Sequence, residues 1–244
     1  MALVTTAHER GITTLTMDAP AKRNALSARL VGELGDAFAG CAKDPSVRAV
    51  VLSHTGSTFC AGADLKEPPN PYTFVALLRQ IVEHPKPVVA RVTGRVRAGG
   101  LGLLGACDIV IASTDSDFAF TEVRIGVAPA VISMPLLPRM TPRAASRHYL
   151  TGETFGAAEA VTDGLVTEAA DDVDTALAPL LDALRRGSPQ GLAESKKLLA
   201  APVLAVFDQY AEDLVQRSAS LFATAEAREG MSAFLERRDA AWVR

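Results

Sequence analysis

Cysteine is scarce in this chain, and neither sign of charge dominates it. The three cysteines, Cys41, Cys60 and Cys107, lie far apart, with no CxxC pair and no cluster of metal-ligand spacing. That argues against a disulfide framework or a zinc site, and the thiols are expected to be reduced in a cytoplasmic protein. Lys and Arg number 25 against 28 Asp and Glu, a formal net charge of −3, so there is no electrostatic case for nucleic acid or an anionic membrane as partner. No uninterrupted apolar run is long enough to span a bilayer. The N-terminus has no basic stretch followed by an apolar core, so no signal peptide is expected. G-x-S-x-G is missing, as is any arranged Ser/His/Asp set, which weighs against a serine hydrolase. Linkers, low-complexity tracts and internal repeats are missing too. What remains is 244 residues, 48% hydrophobic and 22% charged, an ordinary globular chain able to bury a sizeable core.

The stretch that organises the chain is 49–67, AVVLSHTGSTFCAGADLKE. An apolar β-type run, Ala49-Val50-Val51-Leu52, breaks at the polar turn Ser53 to Ser57 and then delivers Phe59-Cys60-Ala61-Gly62-Ala63-Asp64-Leu65. A strand that ends in small residues leaves backbone N–H groups unpaired near solvent. Such groups at Ala61, Gly62 and Ala63 could stabilise a developing oxyanion without a reactive side chain. The same residues also suit an ordinary strand-to-helix turn.

Around this stretch the pattern is mixed. Residues 2–7 and 11–17 read as two β segments about a turn at His8-Glu9-Arg10-Gly11, the second β-branched and alternating. Ser27 is an N-cap candidate for a helix to Lys43 that sets Leu30, Leu34, Phe38 and Cys41 on one face. A helix over 72–83 and a strand over 87–92 follow the break at Pro68 to Pro71. Gly100-Leu101-Gly102-Leu103-Leu104-Gly105 spells the dinucleotide fingerprint, with Glu122 near the place of the ribose-binding acid. The next strand, 108–112, begins too soon to leave a crossover helix, so a short helix over 100–106 opened by Gly99 is the better reading. Its positive end would reinforce a donor N–H at Gly99.

Residues 118–126 alternate into a strand end carrying Glu122. Among apolar neighbours, burial would raise the pKa of that carboxyl and suit it to proton transfer, the alternative being an ion pair with nearby Arg124. Helices are expected over 136–140, 142–151 and 173–186, with a strand at Gly164-Leu165-Val166. A helical tail over 189–199, 203–224 and 226–236 would break weakly at Pro202 and Gly230.

Phe59-Cys60-Ala61-Gly62-Ala63-Asp64-Leu65 resembles the F-x-A-G-A-D-[LI] signature of the crotonase (enoyl-CoA hydratase/isomerase) family. Asn24-Ala25-Leu26, Arg97-Ala98-Gly99-Gly100, Cys107-Asp108-Ile109, residues 122–133 and residues 230–238 resemble further family motifs, in family order and across essentially the whole chain. The resemblance implies an α/β fold, the crotonase spiral of ββα repeats, with a core over 1–188 and a C-terminal helical oligomerisation region over 189–244. It implies a homotrimer or dimer of trimers.

It also assigns roles. The N–H groups of Ala63 and Gly99 would form an oxyanion hole for a thioester carbonyl, and Glu122 would move the proton. Ala61, Asp64, Gly102 and Ala130 would lie at the substrate. Lys22 and Arg23 would meet CoA phosphates unless they are merely solvated loop charges, and Lys66 would meet the nucleotide end. Coenzyme A enters as part of an acyl-CoA thioester substrate, with no separate cofactor and no metal.

One position departs from the pattern. Two-glutamate hydratases carry a second catalytic glutamate three residues after the oxyanion-hole glycine, and here that residue is Gly102. In this the motifs look closer to bacterial methylglutaconyl-CoA hydratase-type members. The implied reaction is addition of water to a 2-enoyl-CoA. Double-bond isomerisation and a catalytically weak acyl-CoA-binding paralogue are the alternatives.

Overall fold

The structure, a computed structural model, describes residues 2–243. Strands β1 (Val4–Glu9) and β2 (Ile12–Met17) pair antiparallel. Their turn is shorter than the sequence suggests, because Arg10 and Gly11 both take positive φ, at 48° and 81°. Two such residues give a turn whose twist matches that of the flanking strands. Helix α1 (Ala28–Lys43) begins where expected, the Ser27 hydroxyl accepting the Leu30 N–H, and it buries Leu30, Val31, Leu34, Phe38 and Cys41.

A ββα unit then repeats. It runs β3 (Ala49–His54), β4 (Thr58–Cys60) and α2 (Pro71–Glu83), then β5 (Val88–Val92), β6 (Arg95–Arg97) and α3 (Gly99–Ala106). The third turn has β7 (Ile109–Ser113), β8 (Asp117–Ala119), a 3-10 helix over Thr121–Ile125, α4 (Ser133–Leu136) and α5 (Pro142–Thr151). The chain closes with β9 (Phe155–Gly156), α6 (Ala157–Thr162), β10 (Glu168–Ala170), α7 (Val173–Arg186), α8 (Pro189–Phe222) and α9 (Ala225–Glu236). Each unit adds one strand to a six-stranded sheet, ordered β1-β2-β3-β5-β7-β10, and one to a four-stranded sheet, ordered β4-β6-β8-β9. The chain thus winds as a spiral, with an α/β core between and around the two sheets.

Four local expectations are corrected. Glu122 lies on the 3-10 helix rather than a strand, since β8 ends at Ala119. Residues 136–140 are helical only at Leu136. Gly164 turns at φ 82°, the Leu165 and Val166 N–H groups both donate to the Ala160 carbonyl, and the strand starts only at Glu168. The tail does not break where expected: α8 runs through Pro202 and α9 through Gly230. A proline inside a helix forfeits one intrahelical hydrogen bond. Here the loss is offset by tertiary burial of Lys196, Ala200, Val203, Phe207 and Val215 along α8. Gly230 permits contact instead of breaking the helix, since a Cβ there would lie 2.5 Å from the Ile125 backbone.

Helix α8 shares the main core with α1 and α2, contributing Ala200, Val203, Phe207 and Val215 to the cluster that holds Leu34, Phe38 and Leu78. Its polar anchor is Lys196, only 5% exposed. The ammonium pairs with Asp108 Oδ2 at 2.7 Å and donates to the carbonyls of Ile81 and Lys86 at 2.9 and 3.2 Å. Asp108 Oδ2 in turn accepts the Val88 N–H. Nothing in the spacing of the sequence announces this pair. No helix among the described residues is long and apolar enough to cross a membrane.

Breaking a buried ion pair from one side leaves an uncompensated charge, which typically costs about 3–5 kcal/mol. Lys196→Met is therefore expected to lower unfolding stability by that order in urea titration. Lys196→Met with Asp108→Asn should lose less than the single variant, and an equal or larger loss would contradict the pairing.

Candidate active site

Strands β4, β6 and β8 are parallel neighbours, and all three release the chain at the same edge of the small sheet. Residues 61–64, 98–100 and 120–122 leave those strand ends. Segments spread over about 60 residues of sequence are thereby brought together by the spiral, not by local propensity.

The first segment is held by Asn24. Wholly buried and at φ 49°, it accepts the Ala19 N–H at 2.8 Å on Oδ1 and donates from Nδ2 to the carbonyls of Thr55 and Thr58 at 3.0 and 2.8 Å. This side chain splices the loop before α1 onto the β3–β4 connection. Backbone pairing follows: Ala61 N–H donates to Arg23 O, Leu26 N–H to Gly62 O, and Asp64 N–H to Leu26 O. Leu26 and Ala63 form an isolated parallel bridge. In that pattern Leu26 uses the groups flanking Ala63, and the N–H of Ala63 faces the other way. It makes no hydrogen bond among the described residues, and Ala63 is exposed.

The second segment meets the first at Gly62. A Cβ on Gly62 would sit 3.0 Å from Ala98 Cβ and 3.9 Å from the Gly99 nitrogen. Ala98 donates its N–H to Ala119 O and takes φ 47°, ψ −119°, a conformation an L-residue adopts only at a cost of about 1–3 kcal/mol. That turn starts α3 at Gly99. First-turn N–H groups of a helix have no internal acceptor, and the Gly99 N–H is unpaired among the described residues. Leu26 and Phe74 close over it, since a Cβ on Gly99 would meet Leu26 Cδ1 at 2.8 Å and the Phe74 ring at 3.6 Å. Two unpaired N–H groups thus sit on adjoining turns, the Ala63 one exposed and the Gly99 one beside the apolar side chains of Leu26 and Phe74.

The third segment carries Glu122, 9% exposed. Its Oε2 is fully buried with no hydrogen-bond partner, and it forms no ion pair with Arg124, which is exposed. Burial pushes its carboxyl up to about 7, against a small opposing pull from its own backbone N–H. A carboxyl that changes charge near neutrality can both take and return a proton.

Gly102 does not open onto free space. A Cβ there would lie 2.6 Å from Ile132 Cγ2 and 3.6 Å from Leu78 Cδ1, so Ile132 fills the volume that the sequence left open for a substrate or a second acid. Nor do the remaining expected residues converge as free groups. Lys22 pairs with Asp64 at 3.3 Å and Glu67 at 3.6 Å. Asp64 is buried, and its carboxyl is held below the usual range first by the Lys66 N–H and also by Lys22. The N–H groups of Ala61 and Ala130 are spent on Arg23 O and Ala128 O. Arg23 and Lys66 are exposed.

Sequence reasoning included Ala98 and Ile132 only as members of motifs and gave neither a role. An alanine gives no sign that it will take positive φ, and Ile132 gives none that it will pack against Gly102. Among the described residues, His148, Glu159 and Asp163 place possible ligand atoms within 4.8 Å of one another. The Arg147 guanidinium already sits on Glu159 at 2.9 Å, and His148 Nε2 is hydrogen-bonded to Asp163 at 2.7 Å, so these ligand atoms are already engaged with one another and with Arg147.

The sequence profile of the enoyl-CoA hydratase/isomerase family matches residues 7–244. A crystal structure of an enoyl-CoA hydratase from Mycobacterium avium superposes with a TM-score of 0.95 at 50% identity, covering 100% of both chains. The (E)-benzylidenesuccinyl-CoA hydratase of Thauera aromatica is 32% identical over 242 residues, 92% of each chain. The carnitinyl-CoA dehydratase of Escherichia coli K12 is 30% identical over 246 residues, 93% of each. The fold, the order of its motifs and these likenesses agree: the chain belongs to the enoyl-CoA hydratase/isomerase family.

Proposed function

We propose that the protein hydrates a 2-enoyl-CoA thioester, with Glu122 as its proton-transfer group and the N–H groups of Ala63 and Gly99 as its oxyanion hole. The observation that carries this reading is the pairing of two unpaired N–H groups with a buried carboxyl poised near pH 7. Ionised Glu122 takes a proton from water as the oxygen bonds to the β-carbon. The displaced π electrons move to the thioester oxygen, where the two donors hold the enolate charge. Glu122 then returns the same proton to the α-carbon, so one carboxylate is regenerated and a molecule of water is added. Coenzyme A is carried by the substrate; exposed Arg23 would meet its phosphates and exposed Lys66 its nucleotide end. Lys22 would have to exchange its pairing with Asp64 and Glu67 to join them. Exposed Leu198, Leu199, Phe234 and Leu235 on α8 and α9 are apolar surface that assembly into a homotrimer or dimer of trimers would cover.

One observation favours a second reading. Because Ile132 occupies the space beside Gly102, no second acid holds a water, and isomerisation needs only one base that removes a proton at one carbon and returns it at another. Incubation with crotonyl-CoA, a 3-enoyl-CoA and methylglutaconyl-CoA separates the two: hydration adds the mass of water, isomerisation leaves the mass unchanged. No turnover of any enoyl-CoA would sink both.

Either route starts from ionised Glu122, so kcat/KM should fall with decreasing pH through about 7. Glu122→Gln should retain acyl-CoA binding and lose roughly 10²-fold or more in turnover. Ala63→Pro removes a donor of the kind worth about 2.7–4 kcal/mol of transition-state stabilisation. Ala63→Ser keeps the N–H and should stay far more active, and equal loss in both folded variants would refute the donor role.

The buried carboxyl also has a cost. Its folded pKa lies above the unfolded value of 4.5, so the native state binds the proton more tightly, and stability declines as pH rises from the unfolded value through about 7. Glu122→Gln is expected to raise stability at pH 8 by on the order of 2–3 kcal/mol. Denaturant titration should show the gain shrinking toward pH 4.

At Gly102, helix propensity alone favours replacement, but the contact with Ile132 dominates. Gly102→Glu should lower the melting temperature, and adding Ile132→Gly should recover part of it and raise crotonyl-CoA hydration above that of the unaltered protein. Recovery without a rise in hydration would mean that the position does not face the reacting carbons.

A further inference from the structure

The six-stranded sheet has a face turned away from the main core, and α7 packs on its apolar part. There Ile12, Ala49, Val51, Val89 and Ile111 meet α7 residues that include Leu177, Leu181 and Leu184. Further along the same strands the face turns polar. Side chains alternate between the two faces of a strand, so Thr14, Ser53 and Arg91 stand on the α7 side while Leu15, Leu52, Ala90 and Val92 enter the main core.

Where the face changes character, a cavity of about 450 Å³ opens between sheet and helix, within the range of about 300–1,000 Å³ usual for small-molecule sites. Val51, Leu177, Ala178 and Leu181 give it an apolar side, and Thr14, Ser53 and Arg91 a polar floor. The guanidiniums of Arg10, Arg91 and Arg185 outnumber the carboxylates of Asp174 and Asp182 by one. Both carboxylates are already engaged. Arg91 Nε and Nη2 fork the two oxygens of Asp174 at 2.6 Å each, and Arg185 Nη1 donates to Asp182 at 2.5 Å.

Several donors are left over among the described residues. The fork on Asp174 leaves Arg91 Nη1 unpaired, and Arg185, whose Nε donates to Arg10 O at 3.0 Å, keeps Nη2 free. Arg10 takes φ 48° in the β1–β2 turn, and its own guanidinium has no partner. The Ser53 hydroxyl has none either, on a residue only 6% exposed. An occupant that fits must therefore accept hydrogen bonds, carry negative charge and offer apolar surface to α7. A cation would face three guanidiniums.

We infer that this cavity is a binding site for a small organic anion, its oxygens held by Arg10, Arg91 and Ser53 and its short hydrocarbon part resting on Leu177, Ala178 and Leu181. A carboxylate and a phosphate monoester share that chemistry. The site is separate from the one around Glu122, whose segments leave the four-stranded sheet, and it stands whether or not the enoyl-CoA reading does.

The full-length protein is titrated calorimetrically, at fixed ionic strength, with hexanoate, butyl phosphate and acetate. Saturable one-to-one binding of hexanoate or butyl phosphate, tighter than that of acetate, is expected, and the tighter of the two identifies the head group. Arg10→Gln and Ser53→Ala should each weaken it about tenfold or more. Arg143→Gln removes an equal charge from an exposed position on α5 outside the cavity and should leave it unchanged. The inference is overturned if neither anion saturates, if acetate binds as tightly, or if Arg10→Gln and Ser53→Ala have no effect. An equal loss in Arg143→Gln would also overturn it, since that marks attraction to overall charge.

Discussion

The site depends on the buried side chain of Asn24. Its three hydrogen bonds, from Ala19 N–H and to the carbonyls of Thr55 and Thr58, replace a stretch of sheet ladder with a single amide. They bring Leu26 alongside Gly62 and Asp64, and that pairing decides which N–H groups are consumed. Those of Ala61 and Asp64 are used, and that of Ala63 is left over. An unpaired donor next to solvent is inexpensive, whereas one fully buried would cost about 1–3 kcal/mol. The exposure of Ala63 is what makes the arrangement tolerable.

Other groups around the site are held out of their preferred states. Ala98 keeps a positive φ, the Gly99 N–H points from a helix start with no acceptor, and Glu122 keeps one carboxyl oxygen buried without a donor. Such features persist only where the surroundings over-determine them. Here the surroundings are the parallel strands β4, β6 and β8, the apolar caps of Leu26 and Phe74, and the clamp of α8 through Lys196 and Asp108. Strain in the site and redundancy in the scaffold belong to one design.

Much of the fold was legible from the chain. Helix α1 could be placed from the Ser27 cap and the spacing of Leu30, Leu34 and Phe38, and α5 from Pro142 at its first turn. The β-branched runs gave β2, β3, β5 and β7, whose patterns are local. The misreadings share a cause. Pro202 and Gly230 look like breaks in a window of neighbours, but one is overruled by burial on the core and the other is needed for backbone contact with Ile125. Gly102 looked like a vacancy for the same reason. A glycine in a sequence shows that a side chain is missing, not what has moved into its place, and Ile132 lies thirty residues further on.

The sequence by itself determined the chemistry on offer: small residues at 61–63 and 98–100 that free backbone donors, one carboxyl at Glu122 among apolar neighbours, and no second acid at Gly102. Those are properties of residue type, and they survive any folding pattern. Only the tertiary structure decided which N–H remains unpaired, that burial raises the Glu122 pKa to about 7, and that Ile132 seals the second-acid position. Each depends on the spiral setting residues far apart in the chain against one another, and neither desolvation nor steric exclusion exists until the second surface arrives.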